Sequence, residues 1–380
     1  MIPLNQNLNT LKRSSIRRYT NMARETEDCA MLTIGEPDLD TPENIKAAAI
    51  AAIAGNQTHY APNQGTIALR QAVADYETAR GNETKPENVL ITIGACHALF
   101  TALLGILNPG EEVIVPTPGF LLYDSIATVA GAKTVPLDIS KTGFQITKEA
   151  LDACITEKTK AIIINSPCNP TGTVFSRESL ENVKQAILGK PVFLIVDNVY
   201  NQLSFTDCPD LSLDDALKEQ TILCQSFSKP WAMTGWRVGY LTCPDYVMDR
   251  LLLLSASEIT AVPTFIQAAA VEALKTDPAP MREIYRKRRD YVCRRLDGMG
   301  LTYPKPDGAF YVFVDISRFG LNSEEFCTRM IREGKLAVVP GSCFGAEGYI
   351  RLSYCYSDGE LQRGLDRLEA FISTLEGGKT

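Results

Sequence analysis

The stretch Lys160–Tyr200, KAIIINSPCNPTGTVFSRESLENVKQAILGKPVFLIVDNVY, decides the fold. It begins and ends in short apolar runs, KAIIIN (160–165) and VFLIVD (192–197). Between them, SRESLENVKQAIL (176–188) carries helical spacing. Neither apolar run alternates with polar residues. Strands of that kind are covered on both faces, as in a parallel sheet clad by helices. Working outward, the same kind of run recurs at NVLITI (88–93), EVIVP (112–116), KTVPL (133–137), TILCQS (221–226) and VGYLT (238–242). Helical stretches at 96–107 and 120–130 lie between several of these runs. The reading is an α/β fold with a mostly parallel mixed sheet between helices.

The pattern changes at MREIYRKRRDYVCRRLDGMG (281–300), a charged helix ending at glycines. GAFYVFVDI, LAVVP, YIRLSY and a terminal helix from about Gly359 follow, which reads as a smaller α+β domain. The expected division is residues 1–40 as an N-terminal segment packing with the small domain, 41–280 as the large domain and 281–380 as the small one.

Composition narrows the function. Of 380 residues, 45% are hydrophobic and 22% charged, the balance of a protein with a sizeable core. A net charge of −7 argues against nucleic acid as a partner. No apolar run reaches the roughly 18 residues of a membrane span. The opening residues lack the apolar region of a signal peptide, and eleven scattered cysteines form no CxxC pair, so a reduced, cytoplasmic protein is expected. Two histidines and no HExxH leave no zinc or Ser-His-Asp chemistry, and no metal is expected.

Five places carry candidate chemistry. Asp197 ends a strand directly after five apolar residues. A carboxylate there is costly unless paired, so it is either a helix cap or loop ion pair, or the partner of a bound cation. Asn169 in NSPCNPTG is turn chemistry at a strand end, or a donor to a ligand. In SFSKPWAMTGWRVGYL (226–241), Ser226 and Ser228 share a face, Lys229 follows, and Arg237 comes eight residues later. Trp231, Met233 and Trp236 speak against plain surface charge. Two hydroxyls and an arginine suit a phosphate, and a lysine amine against an apolar wall suits a Schiff base to an aldehyde cofactor. At TIGACHALF, Gly94 and the Ala95–Cys96 amides open a helix, which is either an ordinary strand–helix turn or an anion site. Arg351 in YIRLSY sits in an apolar strand, snorkelling or anchoring a carboxylate.

Taken in order, NPTG, DxxY, SxSK with an arginine eight residues on, and RLS resemble the class I/II aminotransferases, pyridoxal-phosphate enzymes of fold type I. The likeness runs from LTIGEPDLDTP to YIRLSY. LTIGEPD, MTGWRVGY, KPDGAFYVF and VPGSCFG are similar to the bacterial subgroup of N-acetyl-diaminopimelate, aspartate and aromatic aminotransferases. The resemblance implies pyridoxal 5′-phosphate as cofactor, with Lys229 bonded to its aldehyde and shuttling the proton. It implies Asp197 on the ring nitrogen, Asn169 and Tyr200 on the phenolic oxygen, and Phe120 on the ring face. Ser226, Ser228, Arg237, Gly94, Ala95 and Cys96 would hold the phosphate, with Tyr60 reaching it from the second subunit of a homodimer. Arg351 and Gly35 would bind the substrate carboxylate. The implied reaction moves an amino group between an amino acid and a 2-oxo acid; a carbon–sulfur β-lyase on the same cofactor is the alternative. Asn198, Cys168, Pro230 and Trp231 depart from the family pattern, which leaves substrate choice open. Arg17 and Arg18 are candidates for a second carboxylate, or simply a solvated basic face.

Overall fold

The computed structural model of the chain describes residue 2, residues 5–11 and residues 15–377. Residues 1, 3, 4 and 12–14 of the expected N-terminal segment, and 378–380 of the expected small domain, lie outside the described residues. In chain order the strands are β1 (Ala30–Met31), β2 (Val89–Thr92), β3 (Glu112–Thr117), β4 (Lys133–Asp138), β5 (Thr159–Asn165), β6 (Phe193–Asp197), β7 (Thr221–Ser226), β8 (Gly239–Thr242), β9 (Tyr311–Asp315), β10 (Leu336–Ala337), β11 (Val339–Pro340) and β12 (Tyr349–Ser353).

The large sheet runs β2-β8-β7-β6-β5-β3-β4. The block from β7 to β4 is parallel, and β8 alone runs against its neighbours. The apolar runs behave as their composition demands. In β5 and β6, Ile162, Ile164, Leu194 and Val196 pack into one core layer, whereas Ala161, Ile163 and Ile195 pack into the layer on the other face. The strand period of two sends alternate side chains to opposite faces, and both faces are dry. The connecting helix Arg177–Ile187 is capped by Ser176, whose side chain accepts from the Ser179 N–H, and it buries Leu180, Val183, Ala186 and Ile187.

A second, antiparallel sheet has the order β11-β12-β9, and β1 pairs in parallel with β10. The run LAVVP is broken at Val338. Its first half pairs with β1 and its second with β12, so one stretch serves two sheets. The charged helix spans Ala279–Gly298 and the terminal helix Asp358–Gly377. Among the described residues no helix is long and apolar enough to cross a membrane.

Behind the carboxyl end of β6 lies a buried ionic network. Glu77 is fully buried and takes Arg80 Nη1 on both oxygens, at 3.1 and 3.0 Å, and the Tyr240 hydroxyl on Oε1. Arg80 Nη2 continues to Asp210 Oδ2 at 3.1 Å, and Asn198 Nδ2 donates to the same oxygen at 2.6 Å. Removing one member strands a buried charge, which costs far more than the pair itself contributes. Arg80→Ala should therefore lower the unfolding free energy by about 3 kcal/mol, read from denaturant midpoints. A loss below about 1 kcal/mol, the range of an exposed pair, would show the network to be energetically idle.

Candidate active site

Register brings the site together. Asn165 lies opposite Asp197 across β5 and β6, and Asp197 lies opposite Cys224 across β6 and β7. The loops leaving these strand ends wall a cavity of about 240 Å³. Asn169, Asp197 and Tyr200 line it, as do Ser226, Ser228, Lys229 and Arg237. Ala95 and Cys96 contribute the start of the helix Gly94–Ile106, and Phe120 contributes its ring. Gly35 and Arg351 close the side facing the small sheet. A larger polar cavity of about 460 Å³ lies elsewhere, among Asn82, Lys85, Lys218 and Asp245, and contains none of these residues.

Asp197 is 3% exposed. Tyr123 donates its hydroxyl to Oδ2 at 2.7 Å, and the Val199 N–H reaches Oδ1 at 3.3 Å. Burial still raises the carboxyl to about 6, against the lowering effect of both hydrogen bonds. Lys229 responds in the opposite sense. Burial pulls its amine below the ordinary lysine value, while Cys355, Cys96 and Glu36 oppose that shift. Its Nζ donates to the Gly35 carbonyl at 2.6 Å. Gly35 must lack a side chain, because a Cβ there would sit 1.8 Å from the Tyr311 hydroxyl.

The residues that suit an anion lie at two ends of the cavity. At one end, the Ser226 hydroxyl accepts the Ser228 N–H at 3.1 Å. Arg237, held at a left-handed φ of 54°, donates to the carbonyls of Thr234 and Ile93. Gly94 stands behind this cradle, where a Cβ would come within 2.9 Å of Arg237 Nη2. At the other end, Arg351 is 2% exposed and lies 4.4 Å from the Tyr311 ring centroid and 4.8 Å from that of Phe344. Its Nη1 donates to Asn169 Oδ1 at 2.8 Å and its Nη2 to the Thr33 carbonyl, while its buried Nε has no hydrogen-bond partner among the described residues. A flat guanidinium with an unused donor is ready to take a carboxylate.

Some residues fall elsewhere. Tyr60 is 88% exposed and outside its own chain's cavity. Arg17 and Arg18 are exposed; Arg18 pairs with Glu324 at 3.4 Å, and it is Ile16 from this helix that lines the cavity. Asn198, Cys168, Pro230 and Trp231 do not line it. Asn198 is turned to Asp210, and the Trp231 indole donates to the Thr276 carbonyl at 2.8 Å.

Three polar residues of the site, Tyr123, Tyr311 and Asn165, were not anticipated from the sequence. Tyr123 bonds Asp197, and Tyr311 shares a 2.8 Å hydroxyl pair with Tyr200. Asn165 donates to the Asp197 carbonyl at 2.9 Å and accepts the Asn169 N–H at 3.0 Å. Asn165 carried a usable signal, a polar residue ending an apolar strand just as Asp197 does.

The model of the family described as aminotransferase class I and II matches residues 27–368. A probable N-acetyl-LL-diaminopimelate aminotransferase of Bacillus subtilis is 40% identical, with 97% of this chain and 95% of that protein aligned. An aspartate aminotransferase of Pyrococcus abyssi is 39% identical over 97% and 98% of the two chains. The solved aspartate aminotransferase of Thermus thermophilus with maleate superposes with a TM-score of 0.93 at 34% identity, covering 97% of this chain and all (100%) of that one. With a lysine, a carboxylate and two arginines meeting in one cavity, the chain belongs to the class I and II aminotransferases, pyridoxal-phosphate-dependent enzymes that move an amino group between an amino acid and a 2-oxo acid.

Proposed function

We propose that this aminotransferase works with Lys229 as its covalent and proton-transferring residue and Asp197 as the partner of the cofactor ring nitrogen. The observation that carries the reading is the shared cavity: a buried amine with lowered basicity and a buried carboxylate stand between two separate anion-binding ends. The residues fit the cofactor. Ser226, Ser228, Arg237, Gly94 and the Ala95–Cys96 amides suit its phosphate, Asn169 and Tyr200 its phenolic oxygen, and Phe120 its ring face. When bound, pyridoxal phosphate supplies an aldehyde for amines and a ring that draws electrons from the substrate Cα.

The chain's own groups do the rest. Arg351 and Gly35 hold the substrate carboxylate and so orient Cα. Lys229 Nζ takes the proton from Cα, a role that burial favours by pulling the amine below the ordinary lysine value. The surrounding aromatic wall of Phe120, Tyr123, Tyr200 and Tyr311 limits water. The relatives are aminotransferases, and nothing favours the carbon–sulfur lyase reading. Further parts of the proposal are a cytoplasmic homodimer, in keeping with eleven free thiols, and a division at 1–40, 41–280 and 281–380. In that dimer Tyr60, exposed in its own chain, reaches the phosphate of the other subunit.

Lys229→Ala should lose the borohydride-trapped cofactor adduct and at least about a thousandfold of its turnover. Transamination near the wild-type rate would overturn the assignment. A screen of amino donors against 2-oxoglutarate and pyruvate then defines the substrates.

Co-expressing Lys229→Ala and Tyr60→Ala chains gives hybrid dimers with one intact site each. Activity at limiting cofactor should exceed that of either parent, and no gain would rule the shared site out.

Asp197 also sets a pH signature in the cofactor-free protein. Its folded pKa of about 6 exceeds the ordinary 3.8, so the folded form binds the proton more tightly. Below pH 3.8 the acid is protonated in both states and its ionisation costs nothing; the cost builds between that value and the folded one and is constant above it. Asp197→Asn should thus stabilise the apoprotein at pH 8 by about 3 kcal/mol, with the gain fading below about pH 4. Chemical denaturation at the two pH values checks this, and a pH-independent difference would contradict it.

A further inference from the structure

The turn that delivers Phe120 to the cavity also delivers a second aromatic. Phe120 and Tyr123 are three residues apart, at the entry to the helix Leu122–Val129, and so share a face. Their rings meet edge to face, with centroids 5.8 Å apart and planes at 88°. Tyr123 is 3% exposed, and its hydroxyl has one protein partner, Asp197 Oδ2, at 2.7 Å. The other oxygen of Asp197 has only the longer 3.3 Å contact with the Val199 N–H.

We propose that Tyr123 is a positioning residue for the reaction, its hydroxyl holding the Asp197 carboxylate oriented and anionic toward the cavity while Phe120, on the same turn, covers the ring face. The inference rests on Asp197 being the ring-nitrogen partner. A hydrogen bond to the charged form of a carboxylate lowers its basicity. The proton shared by Asp197 and the ring nitrogen is thereby kept on the nitrogen, the form in which the ring draws electrons. Tyr123 itself stays a neutral donor: burial, and then the neighbouring Asp197 charge, push its own ionisation well above the ordinary tyrosine range. Cys168 and Tyr200 also face it and act in the same direction.

The test uses holoenzyme reconstituted with pyridoxal phosphate carrying 15N in the ring, in wild-type, Tyr123→Phe and Asp197→Asn proteins. Phenylalanine keeps the ring contact with Phe120 and removes only the hydroxyl. The wild-type nitrogen should resonate at the protonated position, and Asp197→Asn should move it to the neutral one. Tyr123→Phe should move it in the same direction, by the part of that span that about a tenfold change in proton distribution produces. If Asp197→Asn moves the resonance and Tyr123→Phe leaves it at the wild-type position, Tyr123 is packing alone and the proposal falls. If Asp197→Asn leaves it unmoved, Asp197 is not the ring partner, and both readings fall together.

Discussion

A carboxylate buried at the end of a strand clad on both faces is the constraint on which the rest of the site turns. Asp197 follows Val196, whose side chain belongs to the dry core, so the chain has no freedom to turn the acid out to water. Burying an ion this deeply demands partners. The fold supplies Tyr123 from the neighbouring helix and a backbone N–H from Val199. These do not fully offset the burial, as the raised pKa shows. What remains is a carboxylate whose burial is only partly offset, which is the condition the proposed pairing with a ring nitrogen would relieve.

The two cationic groups are kept apart by architecture. Lys229 comes from the loop after β7 and Arg351 from the middle of β12, in a different sheet. A continuous run of hydrogen bonds ties the two sheets across the cavity. It passes from Arg351 to the Asn169 side chain, from the Asn169 N–H to Asn165, and from Asn165 to the Asp197 carbonyl. The substrate-carboxylate end and the ring-nitrogen end of the proposed chemistry are therefore spaced by fixed bonds between short, buried side chains. Reaction geometry of this kind depends on such spacing, because small displacements of the reacting groups are costly in rate. Behind the same strand end, Asn198 anchors the loop to Asp210 and so to the Arg80–Glu77 pair. This departure from the family pattern thus supports the loop from outside the cavity.

The strands were legible because burial on both faces writes itself as unbroken β-branched runs, visible in IIIN and FLIVD without any tertiary knowledge. Lys229, Asp197 and Asn169 stood out as charges or amides set where apolar runs begin or end, Arg351 as a charge inside one, and the ordered motifs tied them to one family. Tyr123 and Tyr311 were not, because an aromatic residue in an apolar neighbourhood reads as core; only the partner of its hydroxyl distinguishes the two cases. Ile16 was hidden for a related reason: its neighbours Arg17 and Arg18 drew attention as charges, yet the helix turns them to solvent.

Sequence by itself determined the α/β class and the family, and singled out the amine and the carboxylate proposed for the chemistry, since these rest on local composition and on the order of motifs along the chain. Tertiary structure alone decided which groups meet: that Asn165 stands beside Asp197, that Arg351 reaches Asn169, that Tyr60 points away from its own cavity, and that LAVVP divides between two sheets. The physical reason is that strand register and the packing of one sheet against another are set by contacts between residues far apart in the chain, and no local pattern encodes the partner.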